Sequence, residues 1–153
     1  LEYMGCLREG EGLNVSKLKV KDNIKSYIEQ IGYAEQETAM FLLGYLIGEI
    51  GNVQYKKTQE GNKPILNKLN FNGLDKQKII RLTKDVFNKL NQEKIRQYNE
   101  VTFFEMKRLL DANIHNWKLN KDESLFYVLS GYSFGTTIPM LRDKEDVLND
   151  DNK

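Results

Sequence analysis

The chain has 153 residues, 40% hydrophobic and 29% charged, which is enough to bury a core in one domain and is ordinary for a globular protein. Lys+Arg 23 against Asp+Glu 22 leaves +1, so bulk charge names no partner; the stretch Arg142–Lys153 holds −2, which puts +3 on the remainder. A single cysteine, Cys6, excludes an internal disulfide and a multi-cysteine zinc site, and a single histidine, His115, argues against a His-based metal site, so no cofactor is expected.

Leu1–Asn14 carries Gly5, Gly10 and Gly12 among charges and is expected to be a flexible lead-in. From Val15 to Ile31, the spacing of Ile24, Tyr27, Ile28 and Ile31 predicts one amphipathic helix, with Gly32 placed to end it. The next helix, from about Ala34 to Tyr55, organises the chain. Leu42, Leu46, Ile50 and Val53 form one apolar row, Leu43 and Ile47 thicken it, and Phe41 and Tyr45 load the adjoining face. A helix apolar on most sides is buried from several directions. Gly44, Gly48 and Gly51 share a third face. Each glycine costs roughly 1 kcal/mol relative to alanine in a helix, so close packing of another backbone within the domain is the expected return, with a subunit contact as the alternative.

Lys56–Asn62 reads as a polar loop, and Pro64 opens a short helix with Ile65, Leu66 and Leu69 on its apolar face. Asn72-Gly73 makes a turn. Asp75 is the N-cap of a helix reaching about Leu90, whose buried row is Ile79, Leu82, Val86 and Leu90. Asn91–Tyr98 is polar and has no legible period. Val101, Phe104, Met106, Leu109, Leu110 and Ile114 mark a further helix, and Trp117-Lys118-Leu119 leads to the last one. There Asn120 with Glu123 resembles a capping box, and Leu125, Phe126, Val128, Leu129 and Tyr132 carry the apolar face. The acidic end, residues 142–153, is expected to be disordered. No stretch alternates with a period of two. The fold class is therefore all-α, a compact bundle of five to six helices around a central hydrophobic helix, with residues 15–141 as a single helical domain.

Catalytic signals are weak. Gly131-Tyr132-Ser133-Phe134-Gly135 fits the G-x-S-x-G pattern, but a hydrolase elbow needs a strand before the serine and a histidine after it, and here a helix precedes Ser133 and His115 lies upstream. The pattern reads as a Gly/Ser-rich helix end. His115 has no partner ligand, and Trp117 reads as a core or interface anchor rather than a base-stacking platform. Asn14-Val15-Ser16 is a glycosylation sequon without a secretion signal. Asp122-Glu123 belongs to a helix start. No enzyme is expected. The N-terminus lacks a signal pattern, and the uncharged run from Ser124 to Leu141 is too rich in Ser, Gly, Thr and Pro for a membrane span, so a cytoplasmic chain without membrane contact is expected. The chain opens on Leu1; Met4 is available as a start, or the chain is part of a longer reading frame.

Basic residues gather in two places. Lys76, Lys78, Arg81 and Lys84 lie on the first half of one helix, and Lys17, Lys19, Lys21 and Lys25 precede or open the first. Both are candidate nucleic-acid-binding sets, weighed against the plain reading of a charge run as a solvated face.

Phe41-Leu42-Leu43-Gly44-Tyr45-Leu46, then Lys63-Pro64-Ile65-Leu66-Asn67-Lys68-Leu69-Asn70 running to Gly73-Leu74, then Trp117-Lys118-Leu119-Asn120 with Asp122-Glu123, and Phe126-Tyr127-Val128-Leu129-Ser130-Gly131 follow one another in a familiar order. The ordered set, covering about Ala34 to Phe134, resembles the C-terminal helical region of the large subunit of type I-B CRISPR Cascade. That region can also be made separately as the small subunit of the complex, and a chain of this length opening within a reading frame resembles that product. The resemblance implies a non-catalytic helical protein whose partners are other Cascade subunits and further copies of itself. It further implies that the chain helps hold the crRNA–target DNA heteroduplex and the displaced, non-target DNA strand, while a separately recruited helicase-nuclease cleaves. It supplies no catalytic motif and no strict nucleic-acid motif. Guide pairing reads sequence, so such a subunit needs only to grip backbone and shape, and weak contacts multiplied over copies add through avidity. The rival reading is a helical protein-interaction module with no nucleic-acid contact; an esterase-like enzyme would require activity that Ser133→Ala abolishes.

Overall fold

A computed structural model of the chain describes residues 13–58 and 60–137. The lead-in up to residue 12, with Cys6, and the acidic stretch Arg142–Lys153 lie outside the described residues. Five α-helices occur among the described residues, with no strand: α1 (Asp22–Ile31), α2 (Glu35–Lys57), α3 (Lys76–Gln92), α4 (Arg96–Asn113) and α5 (Lys121–Thr137). Three short 3-10 helices, Val15–Lys17, Pro64–Lys68 and Ile114–Asn116, sit in the connections. The chain is all-α, as the absence of alternation predicts.

The central helix is α2. Every residue from Thr38 to Gly51 is buried, so the helix has no solvent face over almost four turns. Its start is fixed by Glu37, whose carboxylate accepts from the Ala34 backbone N–H at 2.8 Å. Its most extensive contact is with α5, and α4 packs on another side. One continuous core joins Ile24 and Ile28 of α1, the apolar residues of α2, Ile79, Leu82, Val86 and Leu90 of α3, Met106, Leu109 and Leu110 of α4, and Val128 of α5.

The α2/α5 crossing is made of backbone. A methyl group added at Gly44 would overlap the Val128 carbonyl, one at Gly131 would overlap the Phe41 carbonyl, and one at Gly48 would lie 2.7 Å from the Tyr132 carbonyl oxygen. The glycine face of the central helix is thus used inside the domain. Gly51 differs from its two companions, meeting only the Lys63 and Ile65 side chains, at ordinary distance. The buried residues of α5 are Ser124, Val128, Gly131 and Gly135, a row of small side chains. Phe126 is exposed, and Leu125, Leu129 and Tyr132 are only half-buried. Of the apolar face read from the sequence, Val128 is buried, Leu125, Leu129 and Tyr132 pack at the core's edge, and Phe126 faces solvent, because contact with α2 requires closeness more than apolar volume. Gly131 and Gly135, the ends of the G-x-S-x-G pattern, are the reciprocal half of this crossing. An aromatic group closes its upper side, with the Phe41 and Tyr27 rings stacked at 5.1 Å and Phe134 at 5.0 Å from Tyr27.

Two boundaries differ from expectation. The single helix expected over Val15–Ile31 is split: after the 3-10 turn the backbone is extended at Leu18, and the α-helix starts only at Asp22. Leu18 is buried while Lys17 and Lys19 are exposed, the alternation of an extended strap. Gly32 does end α1, in the left-handed region at φ 82°. The stretch Asn91–Tyr98, illegible in sequence, contains the α3–α4 corner. Lys94 adopts φ 61°, and the Ile95 N–H reaches back to the Leu90 carbonyl at 3.0 Å. A lysine in the position usually given to glycine leaves no turn signal. On α4, Val101 and Phe104 face solvent; the buried residues are Asn99, Thr102, Phe103, Glu105, Met106, Leu109 and Leu110.

Candidate nucleic-acid interface

The α3 basic strip begins with a capped helix. The Asp75 carboxylate accepts from the Lys78 backbone N–H at 2.9 Å, as expected of an N-cap. Ile79, Leu82, Val86 and Leu90 are buried, which turns Lys76, Arg81 and Lys84 outward and leaves Lys78 at the edge. Lys78 and Arg81 line a cleft of about 460 Å³ between α3 and residues 67–72. Arg81 also lies with Lys84, Gln77 and Ile80 around a shallower depression on the next face of the helix. Lys76, in the first turn, is exposed and lines neither depression.

The opposite wall of the cleft carries residues that the sequence did not mark as candidate binding residues: Lys68, Asn67, Asn70, Phe71 and Asn72. This wall is held firmly. The Gln54 side-chain carbonyl, on the central helix, accepts from the Ile65 N–H at 2.8 Å. Leu69 and Leu74 are buried on either side of the turn, and the Leu74 N–H donates to the Lys121 carbonyl at 3.0 Å. Within the turn, Asn70 accepts from the Asn72 N–H through its side chain at 2.9 Å and from the Gly73 N–H through its carbonyl at 3.2 Å. Gly73 has φ 132° and lies against the Lys121 side chain, so a side chain there would be both strained and obstructed. The available signal was Asn70-Phe71-Asn72-Gly73, an aromatic residue inside an amide-rich turn immediately before a basic helix.

Several cations of the domain are paired: Lys57 with Glu93 at 2.7 Å, Arg96 with Glu100 at 3.3 Å, Lys107 with Asp111 at 2.7 Å, and Arg108 with Glu105 at 2.8 Å. Among the described residues, no ion pair or side-chain hydrogen bond engages Lys68, Lys78, Arg81 or Lys84. Three cations and one carboxylate, Asp85, border the cleft. Such a concave surface attracts anions.

The second basic set is dispersed. Lys17 and Lys19 are exposed on the extended strap, while Lys21 and Lys25 are half-buried. The Lys21 ammonium donates to the Tyr45 hydroxyl at 3.4 Å, which ties it to the central helix. The strap also meets an acid. Glu105 is buried on α4, and its carboxyl is held below the usual range, first by the hydrogen bonds from Arg108 and also by the Lys19 backbone N–H and charge. Lys21 and the Lys19 backbone thus tie the strap to the domain, while the Lys17 and Lys19 side chains are exposed.

The remaining sequence candidates take structural positions. The Trp117 indole N–H donates to the Ser124 hydroxyl at 3.3 Å and packs on the core. His115 is exposed within a 3-10 helix. Asn120 and Glu123 exchange hydrogen bonds of 2.9 and 2.8 Å, a complete capping box. Among the described residues, no group of three or more His, Cys, Asp or Glu is placed to hold a metal ion, and no helix is long and apolar enough to cross a membrane.

No curated protein and no solved structure matches the chain. Residues 1–146 match the family model described as CRISPR-associated protein TM1802 (cas_TM1802) C-terminal domain. The match bears out the resemblance drawn from the ordered motifs between Phe41 and Gly131. With almost the whole chain inside it, the protein belongs to the CRISPR-associated TM1802 C-terminal-domain family.

Proposed function

We propose that the chain is a non-catalytic small subunit of a type I-B Cascade effector, which supports the crRNA–target DNA heteroduplex and the displaced strand through backbone contacts. The observation that carries this reading, beside the CRISPR-associated family, is the net-positive cleft of Lys68, Lys78 and Arg81, continued along α3 by Lys84. Phosphate contacts of this kind add affinity without sequence preference, which is what a subunit needs when guide pairing does the reading. A role without chemistry of its own is supported by Ser133. It lies within continuous helix, and its carbonyl accepts from the Thr136 and Thr137 hydroxyls. Its flanking glycines serve the α2/α5 crossing.

The test is co-purification with the other Cascade subunits and crRNA, followed by native mass spectrometry. The expected result is a complex holding more than one copy of this chain. A complex that is complete without it, and that binds target DNA with full affinity, would sink the proposal.

A second reading, a helical protein-interaction module that touches no nucleic acid, has one observation in its favour. Tyr98, Val101 and Phe104 are 62%, 60% and 49% exposed and follow one another at helical spacing on α4. Binding of DNA and RNA that is absent or insensitive to salt would select it.

A further inference from the structure

We infer that the cleft between α3 and the Asn70–Gly73 turn is a binding site for an unpaired nucleotide, with Phe71 as the stacking platform for its base. This rests on the phosphate-binding reading above and adds to it the kind of nucleic acid bound: a single strand, not a duplex.

Three observations combine. Phe71 is 59% exposed, although Leu69 and Leu74 on either side are buried. The turn therefore holds an aromatic ring out in water by design of its neighbours, and among the described residues it stacks on no other aromatic ring. The turn is rigid before any ligand arrives, fixed by the Asn70 bonds to Asn72 and Gly73 and by Leu74 to Lys121. A platform already ordered loses little entropy on binding. Finally, the ring shares its cleft with Lys68, Lys78 and Arg81, whose side chains have no partner of their own.

An aromatic platform beside cations is how proteins bind single strands without sequence preference: the cations take the phosphates and the ring takes a base. A duplex offers the same phosphates, but its bases are stacked on one another and do not reach the ring. Asp85, the one carboxylate of the cleft, repels phosphate and can accept from an exocyclic base amine. It favours the orientation in which the phosphates lie towards the lysines. Phe71 alone would be an unremarkable exposed hydrophobe, and the lysines alone a solvated face. Their sharing one preformed cleft is what points to a nucleotide.

The test compares three ligands of equal length with the 153-residue chain: a single-stranded oligonucleotide, its duplex, and a single strand with abasic sites. Phe71→Ala is expected to weaken single-strand binding about tenfold and to leave duplex and abasic binding as they are. Phe71→Trp should restore it, with the new indole emission quenched on titration. Because Phe71 is exposed, both variants should melt with the parent, and the melt is the check on folding. If Phe71→Ala matches the parent on all three ligands while Lys78→Glu/Arg81→Glu weakens all three, the base pocket is overturned and the phosphate reading stands. If single-strand binding responds to neither change, both fall.

Discussion

The α2/α5 crossing and the α3 cleft use the same chain in opposite ways. At the crossing, Gly44, Gly48, Gly131 and Gly135 remove side chains so that two backbones touch. At the cleft, Lys68, Lys78, Arg81 and Phe71 keep long side chains in water, where they make few contacts within the chain. The first region is specified by shape and tolerates no added atom. The second is specified by charge and exposure, and its residues can change with little effect on folding. Stability and binding should therefore separate almost completely between the two regions.

The largest expected effect is on the crossing. Gly44→Ala gains about 1 kcal/mol of helix propensity. Its methyl group, however, meets the Val128 carbonyl, a backbone atom that cannot swing aside. Overpacking costs about 1–3 kcal/mol and occasionally more, and an obstacle of backbone belongs at the upper end. A net loss of about 2 kcal/mol should lower Tm by about 4–8 °C. Gly131→Ala should behave alike, while Gly51→Ala, which meets only the Lys63 and Ile65 side chains at ordinary distance, should be neutral or stabilising. A melt series of the three variants checks this; equal Tm values would show that the crossing is looser than described.

Next in size is acid sensitivity. Glu105 is held below its usual range by Arg108 and the Lys19 segment. Its folded value lies under the unfolded one, near 4.5. The stabilisation it gives is complete above about pH 4.5 and is lost as pH falls through the lower folded value. Glu105→Gln should flatten this acid arm of the stability profile, measured by denaturant melts between neutral and acid pH. An unchanged slope would mean that other carboxylates govern it.

Asp75→Ala links the two regions, since it uncaps the helix that carries the basic strip. A loss of about 1 kcal/mol is expected in a chemical melt. Smallest of all is Ser133→Ala, expected to stay within about 0.5 kcal/mol of the parent, as for an exposed site.

Sequence legibility followed the same division. The central helix, Gly32, Asp75 and the Asn120–Glu123 box were readable because period and capping are local properties. The glycine face of α2 was readable as a cost in need of a return. Its partner on α5 was not, because Leu125, Phe126 and Leu129 look like an apolar face, and only the tertiary crossing shows that the small residues are the inner ones. The α3–α4 corner was hidden because its left-handed residue is Lys94. Half of the cleft was visible as a run of Lys and Arg. The other half, Lys68 and Asn70–Asn72, comes from a connection whose approach to α3 no periodicity encodes.

The most direct measurement is the salt dependence of target-DNA binding by the assembled effector, made with the parent chain or with Lys78→Glu/Arg81→Glu/Lys84→Glu. Since these side chains lie outside the buried row of α3, the variant should fold and assemble as the parent does. Binding should weaken, and the plot of log K against log salt should become shallower by about 0.9 for each lost contact to duplex phosphate, or about 0.7 to a single strand, with the preferred sequence unchanged. Affinity and slope that both remain at the parent values would contradict the assignment of this cleft to nucleic acid.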